Sequence, residues 1–262
     1  MSGNIIYRLG PLPVSLILFT LLLVAEEVGS RLRKRKLLGS ESVEKGDIAL
    51  VLGAVLTLLS LMLGFTYMMS SDRYETRRQL VIEEANAIGT TYLRSQTLPE
   101  PQSSEIQTLL RQYAAHRVEI ADTVRGGAGK IEELEARTRQ LHNSIWSRAT
   151  VLARENPSPV VAVFLTSLNE MIDIHTKRLA AFRNRVPASI YPVLFISSAI
   201  ALWLAGFYFG ASKQRVRILP MIFAVLIASV MWLIMDLDHP VRGTITASQQ
   251  SLIDLNRDLN RP

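Results

Sequence analysis

The reactive side chains of this 262-residue chain are few and widely spaced. Its four histidines, His116, His142, His175 and His239, contain no HxxxH or HExxH pair, so a metal would need ligands converging from separate elements. Gly126-Gly127-Ala128-Gly129-Lys130 lacks the spacer, the Ser/Thr after Lys and the preceding strand of a phosphate loop, and reads as a turn. Asp236-x-Asp238, followed by Pro240 and Gly243, closes an apolar run. A calcium loop wants more oxygens and an earlier glycine. Two acids at a helix C-terminus oppose the helix dipole, so partners are expected, with arginines of the central polar block as candidates. There is no Gly-x-Ser-x-Gly elbow, no dinucleotide fingerprint and no cysteine. That excludes disulfides, Cys-ligated zinc, iron–sulfur clusters and a thiol nucleophile. The chain reads as no enzyme, with no cofactor and no metal.

The remaining chemistry is electrostatic. Ala49, Gly53, Thr57, Ser60 and Gly64 recur every three or four residues and form one small-residue face. Such a face serves close helix packing or lines a narrow pore. Asp72, Arg73, Glu75, Arg77, Arg78, Glu83, Glu84 and Asn86 follow it, with Arg73, Arg77 and Glu84 on one helical stripe. Asn169, Asp173 and Lys177 form another, with His175 and Arg178 beside it. If the stripes face each other they make an ion-paired seam or an ion vestibule. The pore or vestibule candidates are Gly53, Thr57, Gly64, Phe65, Tyr67, Arg73, Arg77, Arg78, Glu84 and Asn86.

The elements that must position these groups come from hydropathy. The chain is 48% hydrophobic and 20% charged with net charge +6, and the two classes are segregated. Apolar stretches cover residues 12–25, 48–69, 187–210 and 218–235. A bilayer core of about 30 Å needs about 20 residues of helix, so four membrane helices are expected, at about 12–28, 48–69, 187–210 and 218–236. The first is no signal peptide, because its basic cluster (Arg31, Arg33, Lys34, Arg35, Lys36) follows the apolar run. That cluster is a lipid-headgroup and topology feature, not a nucleic-acid site. Nine Lys and Arg lie in the two hairpin loops and nine near the opposite helix ends. The greater weight of short loops favours cytoplasmic hairpin loops.

Residues 71–186 show helix-period patterning. The second membrane helix extends through Leu93; Pro99 and Pro101, then Asn156-Pro157-Ser158-Pro159, break the chain. Helices are expected over 105–121, 130–154 and 160–185. The organisation is therefore all-α: a membrane hairpin (1–70), a helical extramembrane bundle (71–186), a second membrane hairpin (187–237) and a C-terminal tail (238–262).

Three blocks carry a family resemblance. The first is Gly64-Phe65-Thr66-Tyr67, Arg73, Arg77-Arg78-Gln79-Leu80-Val81, Glu84-Ala85-Asn86-Ala87-Ile88-Gly89-Thr90 and Tyr92-Leu93-Arg94. The second is Leu168-Asn169-Glu170-Met171-Ile172-Asp173 with Arg178 and Pro187, and the third runs from Asp236-Leu237-Asp238-His239-Pro240 through Gly243 and Ser248-Gln249-Gln250 to Leu252-Ile253-Asp254-Leu255. Together they resemble the bacterial bestrophin-like membrane family, whose activity is not established. A more distant likeness is to bestrophins, pentameric anion channels with four membrane helices and a helical block between the pairs. Here Val241 stands near their Phe, and their Asn-Asp-Leu-Pro pattern and calcium-gating acid cluster are missing. That likeness implies a cytosolic central block, opposite to the loop charges. Two functions are in play. One is a homo-oligomeric channel for small ions in the bacterial inner membrane, with helix two lining the pore. The other is a membrane-anchored scaffold or ligand sensor.

Overall fold

A computed structural model describes residues 10–35, 45–125, 131–210, 218–240 and 243–261. Among these, every regular element is a helix: α1 Pro11–Lys34, α2 Lys45–Ser95, α3 Gln102–Arg125, α4 Ile131–Glu155, α5 Pro159–Arg183, α6 Ile190–Phe209, α7 Ile218–Asp238 and α8 Gln250–Leu259. The turn expected at 126–130, the hairpin loops at 36–44 and 211–217, and Val241 lie outside the described residues. Helix boundaries follow local chemistry. Pro159 opens α5 at its first position, and the Ser158 hydroxyl caps the helix by accepting from the Val161 N–H at 3.4 Å. The chain divides into two compact units, residues 1–73 with 185–245 and residues 74–184 with 246–262.

In the first unit α1 packs along α6 and α7, and α6 on α7. Its core holds Leu18, Leu22, Leu59, Leu63, Tyr191, Leu194, Leu202 and Met231. Two glycines set the α1–α6 approach. A Cβ on Gly29 would lie 2.1 Å from the Trp203 carbonyl, and one on Gly206 would lie 2.0 Å from the Glu26 carbonyl. Only glycine lets the backbones come that close. Outward, α1, α2, α6 and α7 present Leu12, Leu16, Leu21, Leu50, Leu58, Ile196, Ile200, Val225 and Leu226. So wide an apolar exterior is unsuited to water, and all four helices are long and apolar enough to cross a membrane. The 51 residues of α2 extend about 76 Å at 1.5 Å per residue. Its apolar part, 48–69, suffices for a crossing, and the polar part continues beyond it.

In the second unit α3 packs on α4 and α8, and α4 on α5. The core includes Ile88, Ile106, Leu110, Ile145, Phe164, Leu168 and Met171. The C-terminal segment belongs to this core through Leu252 and Leu259, and Arg111 Nε donates to the Leu259 carbonyl at 2.9 Å.

Candidate functional site

The membrane half of α2 has two unlike faces. Leu52, Leu59, Leu63, Thr66 and Ser70 are buried within the first unit. Gly53, Thr57, Ser60, Gly64, Phe65 and Tyr67 are exposed. A Cβ at Gly53 or Gly64 would meet no atom within 4 Å, so these glycines are not held by packing within the chain. Successive residues turn by about 100°. Gly53, Thr57, Ser60, Gly64 and Tyr67 therefore share one stripe, and Phe65 lies roughly a third of a turn away. Continued along the helix, that stripe reaches Glu75 and Arg78, which form an exposed ion pair at 2.9 Å.

The expected stripe of Arg73, Arg77 and Glu84 divides. Arg73 is half-buried and Arg77 is buried. Glu84 points into the core of the second unit, fully buried, and is the centre of a polar network. Arg117 Nε from α3 stands 2.9 Å from Glu84 Oε1. Arg178 Nη1 from α5 donates to Oε2. The Tyr113 hydroxyl donates to Oε1 at 3.1 Å. His175 lies between two acids, its Nδ1 3.8 Å from Glu84 and its Nε2 3.4 Å from Glu135 of α4. His142 crosses His175 edge to face at 5.2 Å, and Arg178 Nη2 donates to Gln249 Oε1 at 3.1 Å.

The electrostatics follow from this geometry. Burial opposes ionisation of Glu84, but the Arg117 and Arg178 charges, the nearby His175 ring and the hydrogen bond from Arg178 outweigh it, holding the carboxyl well below the usual range. Burial also disfavours the charged form of His175, yet the nearby Glu135 and Glu84 carboxylates raise its affinity for a proton. His142 has no such partner. Burial, then the charges of His175 and Arg117, lower it to about 4. Burial and the neighbouring Glu84 charge push the Tyr113 phenol up, so it serves as a neutral donor.

Asn86 points elsewhere. With Glu83 and Thr90 it lines one wall of a groove of about 510 Å³, and Asn169, Asp173 and Lys177 of α5 line the other. The α2 residues that face Asn169, Asp173 and Lys177 are thus Glu83, Asn86 and Thr90, and not the stripe of Arg73, Arg77 and Glu84 expected there. On its other side α5 aims His175 and Arg178 at Glu84.

In the tail motif Asp236 is fully buried and accepts from the Thr244 N–H (2.8 Å), the Thr244 hydroxyl (2.9 Å) and the Ile245 N–H (2.8 Å). These donors replace the arginines expected for it. Backbone N–H groups leaving the helix end satisfy the carboxylate without a cation. Asp238 accepts from the Val186 N–H at 2.9 Å and the Tyr191 hydroxyl at 3.2 Å. Half-buried Pro240 lies within the return. A Cβ on Gly243 would stand 2.6 Å from the Asp236 carbonyl, so the chain returns only through a glycine there. Among the described residues no group of three or more His, Asp or Glu converges as a metal site.

A family model, the bestrophin-like domain, matches residues 17–252. The chain belongs to the bestrophin-like family. No curated protein matches the sequence. Crystal structures of a bacterial bestrophin homolog from Klebsiella pneumoniae share the fold of this bestrophin-like chain. A single-substitution form superposes with TM-score 0.70 at 14% identity, covering 99% of this chain and 98% of the other. A second substituted form gives 0.69 at 14% identity over 94% and 97%. A third structure of the same homolog gives 0.66 at 15% over 94% and 95%. With the four apolar helices, the family makes this a multi-pass membrane protein.

Sequence reasoning missed Tyr113, Arg117, Glu135, His142 and Gln249 as partners of this bestrophin-like chain's buried acid. A trace of them was present. Glu84 falls midway between Leu80 and Ile88 on a core-facing repeat, and His142 stands three residues before the buried Ile145. A charge in register with a core stripe must find partners inside.

Proposed function

We propose that this bestrophin-like chain is a subunit of a homo-oligomeric ion channel in the bacterial cytoplasmic membrane, with α2 lining the pore. The carrying observation is the uncovered stripe of Gly53, Thr57, Ser60, Gly64 and Tyr67, which lies between the buried stripe of Leu52, Leu59 and Leu63 and an exposed apolar stripe of Leu50, Leu58, Leu61 and Met68. Lipid does not call for small and hydroxyl-bearing residues, whereas a narrow aqueous passage does. The likeness to solved bestrophin homologs supports the same reading. Tyr67, on the stripe, is the narrowing side chain, and Phe65 flanks it. Arg78 stands at the mouth, partly offset by Glu75, and biases passage towards anions. The channel does no catalysis and needs no cofactor.

Native mass spectrometry of the detergent-purified protein is the first test. A closed ring of several copies is expected; a monomer or dimer leaves no wall for a central pore and overturns the proposal. Chloride efflux from proteoliposomes is the second, with Tyr67→Ala changing flux several-fold and Phe65→Ala changing it less. The competing scaffold or sensor reading draws on the polar groove at Asn86, and predicts a low-order oligomer without flux. We place the basic hairpin loops on the cytoplasmic side. The chain has no cysteine, so a single Cys at Ser212 reports the side by labelling of intact cells, and labelling there by an impermeant reagent reverses the assignment.

A further inference from the structure

We propose that His142, His175 and Glu84 form a proton-operated latch that holds the polar half of α2 in the helical bundle and releases it on acidification. α2 contributes one acid to the latch, Glu84, and everything that fixes it comes from other elements. α3 supplies Arg117 and Tyr113, α5 supplies Arg178 and His175, and α4 supplies Glu135 and His142. Gln249, just before α8, holds Arg178 from behind.

With both histidines neutral, the two acids balance the two arginines. A proton on His175 adds a cation, which sits between Glu84 and Glu135 and ties α2 to α4 and α5. That site accepts its charge because it has an acid on each side. A proton on His142 has no such home. Its Nε2 is buried and has no hydrogen-bond partner among the described residues. Its ring lies 4.9 Å from Tyr113 and 5.2 Å from His175. A second imidazolium there would add a fourth cation, beside His175, Arg117 and Arg178, to a site with only two carboxylates, Glu84 and Glu135. The repulsion is relieved only by opening the bundle, which lets His142 reach water. His116 and His239 stand apart: His116 contacts Glu119 and the Leu134 carbonyl, and His239 lies in the other compact unit. The latch stands on the bundle's own geometry and holds whether or not the protein conducts ions.

Hydrogen exchange of peptides covering residues 74–95, in the full-length protein in lipid nanodiscs, tests it. After correction for intrinsic exchange, the opening constant reads the latch. A group that titrates normally when exposed and near 4 when closed raises that constant about fifteenfold between pH 6.5 and 5. His142→Phe, carried in parallel with His142→Asn, should abolish most of that rise. An opening constant independent of pH in the wild-type protein overturns the proposal. So does a wild-type slope retained in either variant that folds. The wild-type measurement decides even if neither variant does.

Discussion

Glu84 and Asp236 are both fully buried carboxylates, solved in opposite ways. Asp236 is satisfied by its own neighbourhood, with every donor eight or nine residues away in sequence. Glu84 is satisfied from across the bundle, with Tyr113 and Arg117 brought in from α3 and His175 and Arg178 from α5. The local solution needs no opposite charge, because backbone N–H dipoles aim at the oxygens. The distant solution places several charges in a low-dielectric interior, where each depends on all the others. Asp236 therefore fixes a local return of the chain, and Glu84 is a keystone that carries proton sensitivity with it.

The sharpest way to break the comparison is Glu84→Ala. It leaves Arg117 and Arg178 buried without their anion, and should cost about 3–5 kcal/mol, seen as a large drop in melting temperature by fluorescence-detected size exclusion. A loss under about 1 kcal/mol would mean that the arginines find other partners and the keystone reading fails. Acid comes next. His142 is held neutral at about 4 against an ordinary 6.5, so stability is full above 6.5 and falls by roughly 3 kcal/mol as the pH drops through that interval. His175 is shifted the other way; its contribution is full below 6.5 and fades as the pH rises through its folded value. Glu84 adds a further loss below its ordinary 4.5. Stability should thus peak near pH 6.5, and a melting profile flat from pH 5 to 8 contradicts this assignment.

Asp236→Ala should cost less, about 2–3 kcal/mol, since water can solvate some of the freed donors near the helix end. Gly243→Ala is the smallest change, about 1–3 kcal/mol, from forcing a methyl to 2.6 Å from the Asp236 carbonyl. If it melts like the wild type, the return is looser than its contacts imply.

The same contrast explains what could be read in advance. The break at Asn156-Pro157-Ser158-Pro159 was legible because capping and proline chemistry act within a few residues, and α5 starts at Pro159 as that chemistry requires. The continuity of α2 was legible because nothing interrupts its pattern between 45 and 95. The stripe of Arg73, Arg77 and Glu84 misled because helical spacing says which residues share a face, not whether that face meets water or core. Arg77 and Glu84 turned inward, and Asn86 alone of the later candidates met the α5 stripe.

By itself the amino-acid sequence determined the all-helical membrane architecture and the family, because hydropathy, periodicity and local breakers act over a few turns of chain. Only the tertiary structure decided that Glu84 is a buried keystone, that His142 and His175 share it, and that Gly29 and Gly206 set the approach of α1 and α6. Those are facts about residues tens to hundreds of positions apart, and their energies depend on distance and burial, which no spacing along the chain encodes.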